Sequence, residues 1–193
     1  MNPSSTLLNP VISPVPALER RYTGRQKVNF LSRLARRALS RSCHISGLRL
    51  ETQPKDGKGV PLPVKGVHWS LTHKCDAVGA IAAPLPVGID LEILRPVNPA
   101  LFAKVADDKE WGLIGKRRLN HFFRLWTAKE AILKAVGRGI SGLSHCKVVR
   151  VDDPTHMQLV YHGTQWTVEH FWFEGHVAAL TAYDFYIRWN EVS

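Results

Sequence analysis

The 193-residue chain has few cysteines and no long apolar run. Its three cysteines, Cys43, Cys75 and Cys146, are odd in number and far apart, which argues against a disulfide framework or a cysteine-based zinc site. No apolar stretch reaches the roughly 18 residues that a membrane span needs. The first 18 residues also lack the charged start and apolar centre of a signal peptide. We therefore expect a cytoplasmic protein with no membrane partner.

Acidic residues are scarce in the first half of the chain. Residues 1–86 contain 13 Lys and Arg but only 4 Asp and Glu, whereas residues 87–193 contain 13 and 12. This imbalance favours an anionic partner and leaves nucleic acid, a nucleotide-like cofactor and an acidic protein open. Four arginines lie largely off the apolar stripe of the first predicted helix and form either a solvated face or an anion-binding face: Arg33, Arg36, Arg37 and Arg41.

Apolar periodicity predicts two long helices, at residues 25–42 and 117–136. Segments rich in β-branched and aromatic residues predict strands at 67–72, 77–83, 87–94, 146–151, 157–161, 166–173 and 176–183. This order of elements predicts an α+β fold of two halves with antiparallel sheets. We place the boundary at the proline-bounded turn near residue 86, which gives halves 1–86 and 87–193. Residues 1–17 receive no role.

Several common catalytic motifs are missing. A P-loop ending at Lys58 would need glycine at position 52, which is Thr52. The segment GISGL at 139–143 ends in leucine, so it is not a GxSxG nucleophile motif. No HExxH zinc motif occurs. Candidate chemistry therefore rests on carboxylates and cations elsewhere in the chain.

Carboxylates stand out in two segments. Asp90 and Glu92, in VGIDLE, lie two residues apart and so project from the same side of a strand. Glu130 and Lys134, in WTAKEAILK, lie four residues apart and share a helix face. Taken alone, the first pair is more typical of exposed acids on a sheet face and the second of a surface ion pair. Three carboxylates converging from a strand and a helix would form a site for a hard cation such as Mg²⁺.

Three further side chains are suited to phosphate. Thr72 and His73 end the predicted strand WSLTH, and Lys58 lies in the glycine loop DGKGVP. A histidine at the end of a strand is also commonly structural. These residues become informative only in combination with the carboxylates.

The combination resembles a known family. VGIDLE, a separation of 40 residues from Asp90 to Glu130, and WTAKEAILK resemble the signature of the 4′-phosphopantetheinyl transferases. WSLTH, GRGISG and DGKGVP resemble further segments of that family, the last in its larger, surfactin-synthetase-activating branch. The matches run in the family's order from about residue 57 to residue 142. The resemblance implies two similar halves, each an antiparallel sheet packed with a long helix.

The resemblance also implies roles for matching residues. Asp90, Glu92 and Glu130 would bind Mg²⁺. Glu130 would in addition act as base toward the attacking serine, and Lys134 would act in catalysis near the phosphates of coenzyme A. The residues implied to contact coenzyme A are Lys58, Thr72, His73, Lys129 and Lys134.

Two positions are matched less closely. Glu110, in DDKEW, resembles a glutamate of the family's spacer helix. The family's histidine-arginine pair before the first long helix is replaced here by GRQKVNF, which leaves Arg25 and Lys27 as alternative contacts to coenzyme A.

The implied activity is transfer of the 4′-phosphopantetheine group from coenzyme A to a serine of an apo carrier protein, with release of 3′,5′-ADP. The carrier would be small, helical and acidic, which suits the basic half, and the enzyme would be a monomer. Fatty acid, polyketide and nonribosomal peptide carriers all stay open. The alternatives are a basic nucleic-acid-binding module, for which no recognised motif is present, and a non-catalytic member of the same family.

Overall fold

The computed structural model describes residues 7–183 and 185–192. By internal contacts the described chain divides into two compact units. The first contains the residues up to Val87 and the C-terminal residues after Tyr183, and the second is Gly88–Tyr183. No helix within the described residues is long and apolar enough to cross a membrane.

The elements follow one another in the order strands, helix, strands, helices, strands. They are β1 (Leu7–Leu8), β2 (Val11–Pro14), α1 (Gly24–Ile45), β3 (His68–His73), β4 (Ala77–Ala83), β5 (Ile89–Ile93), α2 (Ala100–Val105), α3 (Asp108–Ile114), α4 (Leu119–Ala135), β6 (Cys146–Val151), β7 (His156–Tyr161), β8 (Thr164–Phe173), β9 (His176–Thr181), β10 (Tyr186–Ile187) and β11 (Asn190–Glu191).

The first unit is a four-stranded sheet with α1 packed against it. The strand order is β11-β2-β4-β3, and the pairs of β4 are antiparallel. Small and aliphatic residues of α1, among them Ala35, Ala38 and Leu39, are buried against the sheet. Ser42 fastens the helix to β4 and to the connection between β1 and β2, because its hydroxyl donates to the carbonyl of Asn9 at 2.7 Å and accepts from the N–H of Ala82 at 3.1 Å.

The second unit is a five-stranded antiparallel sheet with α4 on one face. The strand order is β5-β9-β8-β7-β6. Its core combines apolar residues of α4, such as Leu125 and Ile132, with Val168, Val177 and Ala179 of the sheet. Both units are thus a sheet packed with one long helix, which confirms the predicted α+β fold of two similar halves.

The predicted helices and strands all occur, with ends that differ by a few residues. The periodicity did not predict β1, β2, β10 and β11, of which β2 contains a proline and the others have two residues each. Two of their pairings are parallel, β1 with β10 and β2 with β11, so the first unit is not wholly antiparallel. These pairings join the C-terminal strands to the first unit. Of the segment 1–17, residues 1–6 lie outside the described part of the chain.

Candidate active site

Asp90 and Glu92 lie on the face of β5 that meets α4. Asp90 pairs with Ala179 and Glu92 with Val177, and paired residues share a sheet face. Ala179 and Val177 belong to the core beneath α4. Both carboxylates are buried, with 5% and 9% of their surface exposed. Two acids are therefore held close together in an environment that disfavours isolated charge.

The opposing face of α4 carries a stripe of three polar residues, Trp126, Glu130 and Lys134, spaced four apart. The indole Nε1 of Trp126 donates to Oε1 of Glu92 at 3.1 Å. Nζ of Lys134 donates to Oδ1 of Asp90 at 2.7 Å and to the carbonyl of Ile89 at 3.0 Å. Since the first and last members of the stripe both contact β5, the middle member, Glu130, lies on the helix face turned toward the same strand.

A glycine allows β5 and α4 to approach this closely. A Cβ atom added to Gly88 would lie 1.8 Å from the carbonyl oxygen of Ala131 and 2.7 Å from the backbone nitrogen of Ala135. No side chain fits such a space, so the backbone of α4 packs directly on residue 88. The sequence analysis assigned Gly88 no role. A glycine in a predicted strand, two residues before Asp90, could nevertheless have indicated a close approach of another backbone.

The donor set suits a hard cation. Asp90, Glu92 and Glu130 offer only carboxylate oxygens, the donors that Mg²⁺ prefers. Within residues 7–183 and 185–192, however, no group of three or more His, Cys, Asp and Glu side chains is already arranged to hold a metal ion. Lys134 supplies a positive charge to Asp90 in this arrangement. The chemistry of the residues fits magnesium, and its coordination stays a proposal.

Lys129, next to Glu130 in sequence, lies in the core. Its Nζ is 2.6 Å from Oε1 of Glu110, and the two side chains are 1% and 2% exposed. Burial lowers the pKa of the Lys129 ammonium, while the hydrogen bond and charge of Glu110 act in the opposite direction. In this position the ammonium has almost no surface with which to contact a cofactor. The sequence had suggested a role for each residue separately but not that they form a pair.

The predicted phosphate-contacting residues of the first unit lie on and near β3. Thr72 is buried within the strand and His73 is exposed at its end. Lys58 is exposed in a loop that Asp56 orders, because Oδ1 of Asp56 accepts from the N–H groups of Lys58 and Val60 at 2.8 and 2.9 Å. These bonds hold the pKa of Asp56 below its ordinary value, that from Val60 having the larger effect.

The four arginines predicted as a helix face are all exposed on α1. Arg37 and Arg41 also line an open cavity together with apolar side chains of Leu34, Ala38 and Val192. Arg36 donates to the side-chain oxygen of Gln53 at 3.0 Å. The cationic face predicted from the sequence is therefore present on the surface of the first unit. At the start of α1, Arg25 is exposed and Lys27 half-buried, which leaves both as candidates.

Comparison with known proteins identifies the family. The model of the 4′-phosphopantetheinyl transferase superfamily matches residues 86–183, which contain Asp90, Glu92, Glu130 and Lys134. The chain is 35% identical to the 4′-phosphopantetheinyl transferase psf-1 of Bacillus pumilus over 46% of its own length and 40% of the relative's. It is 32% identical to the 4′-phosphopantetheinyl transferase HetI of a Nostoc species over 51% of its own length and 44% of the relative's.

A third relative, the 4′-phosphopantetheinyl transferase Sfp of Bacillus subtilis, is 26% identical over 56% of this chain and 50% of its own length. The chain thus spans half or less of the length of these curated relatives. The family predicted from the two motifs is nevertheless confirmed, because the family model covers both motifs and about half of the chain. The chain belongs to the 4′-phosphopantetheinyl transferase superfamily.

Proposed function

We propose that this protein transfers the 4′-phosphopantetheine group of coenzyme A to a serine hydroxyl of an apo carrier protein and releases 3′,5′-ADP. The observation that carries the proposal is the facing pair of elements in the second unit. Asp90 and Glu92 on β5 meet a stripe on α4 that holds Glu130 and Lys134. Membership of the family supports the same activity.

In this reaction the bond between the serine Oγ and the phosphorus of the phosphopantetheine group forms as the bond from that phosphorus to the bridging oxygen of 3′,5′-ADP breaks. Glu130, directly or through a water, would take the serine proton, because a neutral hydroxyl is a weak nucleophile. Lys134, held at β5 by Asp90, would stabilise negative charge on the phosphate oxygens. The carboxylates of Asp90, Glu92 and Glu130 would hold Mg²⁺, whose charge neutralises the pyrophosphate.

Contacts to coenzyme A by Lys58, Thr72 and His73 are part of the proposal. Their side chains offer a cation, a hydroxyl and an imidazole, each able to bind a phosphate oxygen. Lys129 stays a prediction as a coenzyme A contact, although its burial against Glu110 favours a role in packing. A monomeric state and a cytoplasmic location also stay predictions.

Carrier docking on the first unit is proposed from charge. The exposed guanidinium groups of α1, at Arg33, Arg36, Arg37 and Arg41, would meet an acidic helical carrier. Complementary charge of this kind raises the rate of encounter more than the affinity.

The direct test is to incubate the protein with Mg²⁺, coenzyme A and an apo carrier protein, and to look by mass spectrometry for carrier that has gained the phosphopantetheine group. We expect the wild type to produce this gain, and Glu130→Gln or Asp90→Asn to abolish it. Glu174→Gln, an exposed acid in the β8–β9 turn of the same unit, serves as the matched control and should retain activity. A wild-type protein that adds no phosphopantetheine to the carrier would refute the proposed activity. Full activity in both Glu130→Gln and Asp90→Asn would refute the proposed site.

A further inference from the structure

Glu110 joins three elements of the second unit. It begins α3 through a capping box, in which Oε2 of Glu110 accepts from the N–H of Asp107 at 3.0 Å and the carboxylate of Asp107 accepts from the N–H of Glu110. Its Oε1 accepts from the N–H of Val148 in β6 at 3.0 Å. The same Oε1 is 2.6 Å from Nζ of Lys129 in α4. A single buried carboxylate therefore fixes one point of α4 relative to α3 and β6.

The position of Lys129 determines the direction in which the side chain of Glu130, the next residue of α4, leaves the helix. Successive residues of a helix are turned by about 100°, so a helix held at Lys129 cannot rotate without moving Glu130 by the same angle. Lys129 is directed to the α3 and β6 side, and the stripe that contains Glu130 is directed to β5. The two sets of contacts constrain α4 from different sides.

Stability alone does not account for a buried ion pair here. Removing both charges from water is costly, and apolar residues of similar volume are often as stabilising as the pair. An ion pair is directional, however, whereas an apolar contact tolerates a shifted helix. Lys147 adds a partly exposed cation at the rim, with Nζ 3.0 Å from Asp107 and 3.5 Å from Glu110.

We propose that the Glu110–Lys129 pair is a positioning device that sets the rotation of α4 so that Glu130 and Lys134 face the carboxylates of β5. This inference rests on the proposed function, since it concerns how the transferase site is aligned. In this role Lys129 would act through Glu130, its neighbour in sequence, rather than by contacting coenzyme A.

A double-mutant cycle tests the pair. The variants are Lys129→Met, Glu110→Gln and the double variant, with Lys147→Met as a control that removes a cation beside the same carboxylate at the surface. We expect Lys129→Met to lower kcat by about 100-fold, the effect of a misplaced catalytic group, with the KM for coenzyme A nearly unchanged. The double variant should recover kcat to within about threefold of wild type, because both charges are then absent and the shape is kept. Lys147→Met should behave as wild type.

A second readout does not depend on turnover. Hydrogen exchange of amides in α4 and β5 should become faster in Lys129→Met and return toward the wild-type rate in the double variant. All rates are measured well below the melting temperature of each variant, so that unfolded protein does not contribute to the measured differences. If Lys129→Met does not fold, Glu110→Gln alone should show the lowered kcat and the faster exchange.

Three results would overturn the proposal. One is a KM for coenzyme A that is raised in Lys129→Met and stays raised in the double variant, which would make Lys129 a cofactor contact. Another is an unchanged kcat in folded Lys129→Met, and the third is unchanged exchange in α4. A wild-type protein that transfers no phosphopantetheine to a carrier refutes the proposed function instead. Hydrogen exchange then still decides whether the Glu110–Lys129 pair orients α4.

Discussion

The two units share an architecture but use the charges of their long helices differently. In the first unit α1 packs through small and aliphatic residues, and its arginines are exposed. In the second unit α4 also packs through apolar residues, but it adds charged contacts: Lys129 is buried on Glu110, and the half-buried Lys134 bonds Asp90. The same arrangement of sheet and helix thus yields a cationic surface in one unit and a carboxylate site in the other. Exposed charge attracts a partner, whereas buried charge fixes geometry and shifts protonation.

The largest effect should follow from replacing the glycine where β5 meets α4. Gly88→Ala should lower the free energy of unfolding by about 3 kcal/mol or more, because its Cβ cannot fit against the backbone of Ala131. The variant that remains folded should also lose transferase activity, since β5 and α4 must separate. Urea unfolding and the carrier-mass assay measure the two effects.

The control for that substitution lies in the first unit. Gly57→Ala meets no atom within 4 Å and does not occupy a positive φ. This substitution should change the free energy of unfolding of the protein by less than about 1 kcal/mol. Equal effects of the two substitutions would contradict the close packing of β5 on α4.

A pH effect should distinguish the second unit next. His170 is fully buried in the core, and burial, with a further contribution from Arg124, lowers its pKa from 6.5 to about 4. The unfolded chain therefore binds an additional proton between these values, and stability should fall as pH decreases from about 6.5 to about 4. The loss should be on the order of 3 kcal/mol for a shift of this size in a buried group.

His170→Gln should flatten this pH dependence of urea unfolding, whereas His44→Gln, on the exposed side of α1, should leave it intact. Some slope should remain in His170→Gln, because burial also lowers the pKa of His68 in the first unit. An identical slope in wild type and His170→Gln would show that the buried histidine does not control acid stability.

The attachment of α1 in the first unit should be sensitive to one hydroxyl. Ser42→Ala leaves the buried N–H of Ala82 and the carbonyl of Asn9 without their bonds to this side chain. We expect a loss of about 2 kcal/mol in the free energy of unfolding. Ser40→Ala, two residues away on the exposed face, should cost little. A similar cost for both would mean that the hydroxyl of Ser42 does not fasten the helix.

The smallest effect on stability is expected from the exposed arginines. Arg36→Glu combined with Arg37→Glu should change the free energy of unfolding by less than about 0.5 kcal/mol. The rate of transfer to an acidic carrier should nevertheless fall about tenfold at low salt, and the difference should shrink as salt is added.

Arg49→Glu combined with Arg188→Glu makes the same change of net charge at exposed positions of the first unit that lie outside α1. A loss of rate equal to that of the α1 variant would indicate attraction by overall charge. An unchanged rate in the α1 variant would end the docking proposal.

Local pattern was enough to predict the main elements and the order of the site motifs. The apolar periods of α1 and α4 are properties of consecutive residues, as is the alternation that puts Asp90 and Glu92 on one side of β5. The short strands β10 and β11 carry no such pattern. Their pairing with β1 and β2 joins residues almost a whole chain length apart, so no window of sequence contains it.

The sequence by itself determined the fold class, the family and the spacing that brings Glu130 and Lys134 onto one helix face. Only the tertiary structure decided that Trp126 bonds Glu92, that Gly88 packs on the backbone of α4, and that Lys129 is buried on Glu110. The physical reason is that period and spacing give the direction of a side chain relative to its own helix or strand. Burial and partner depend on which other element lies opposite, and that is fixed only when distant segments pack together.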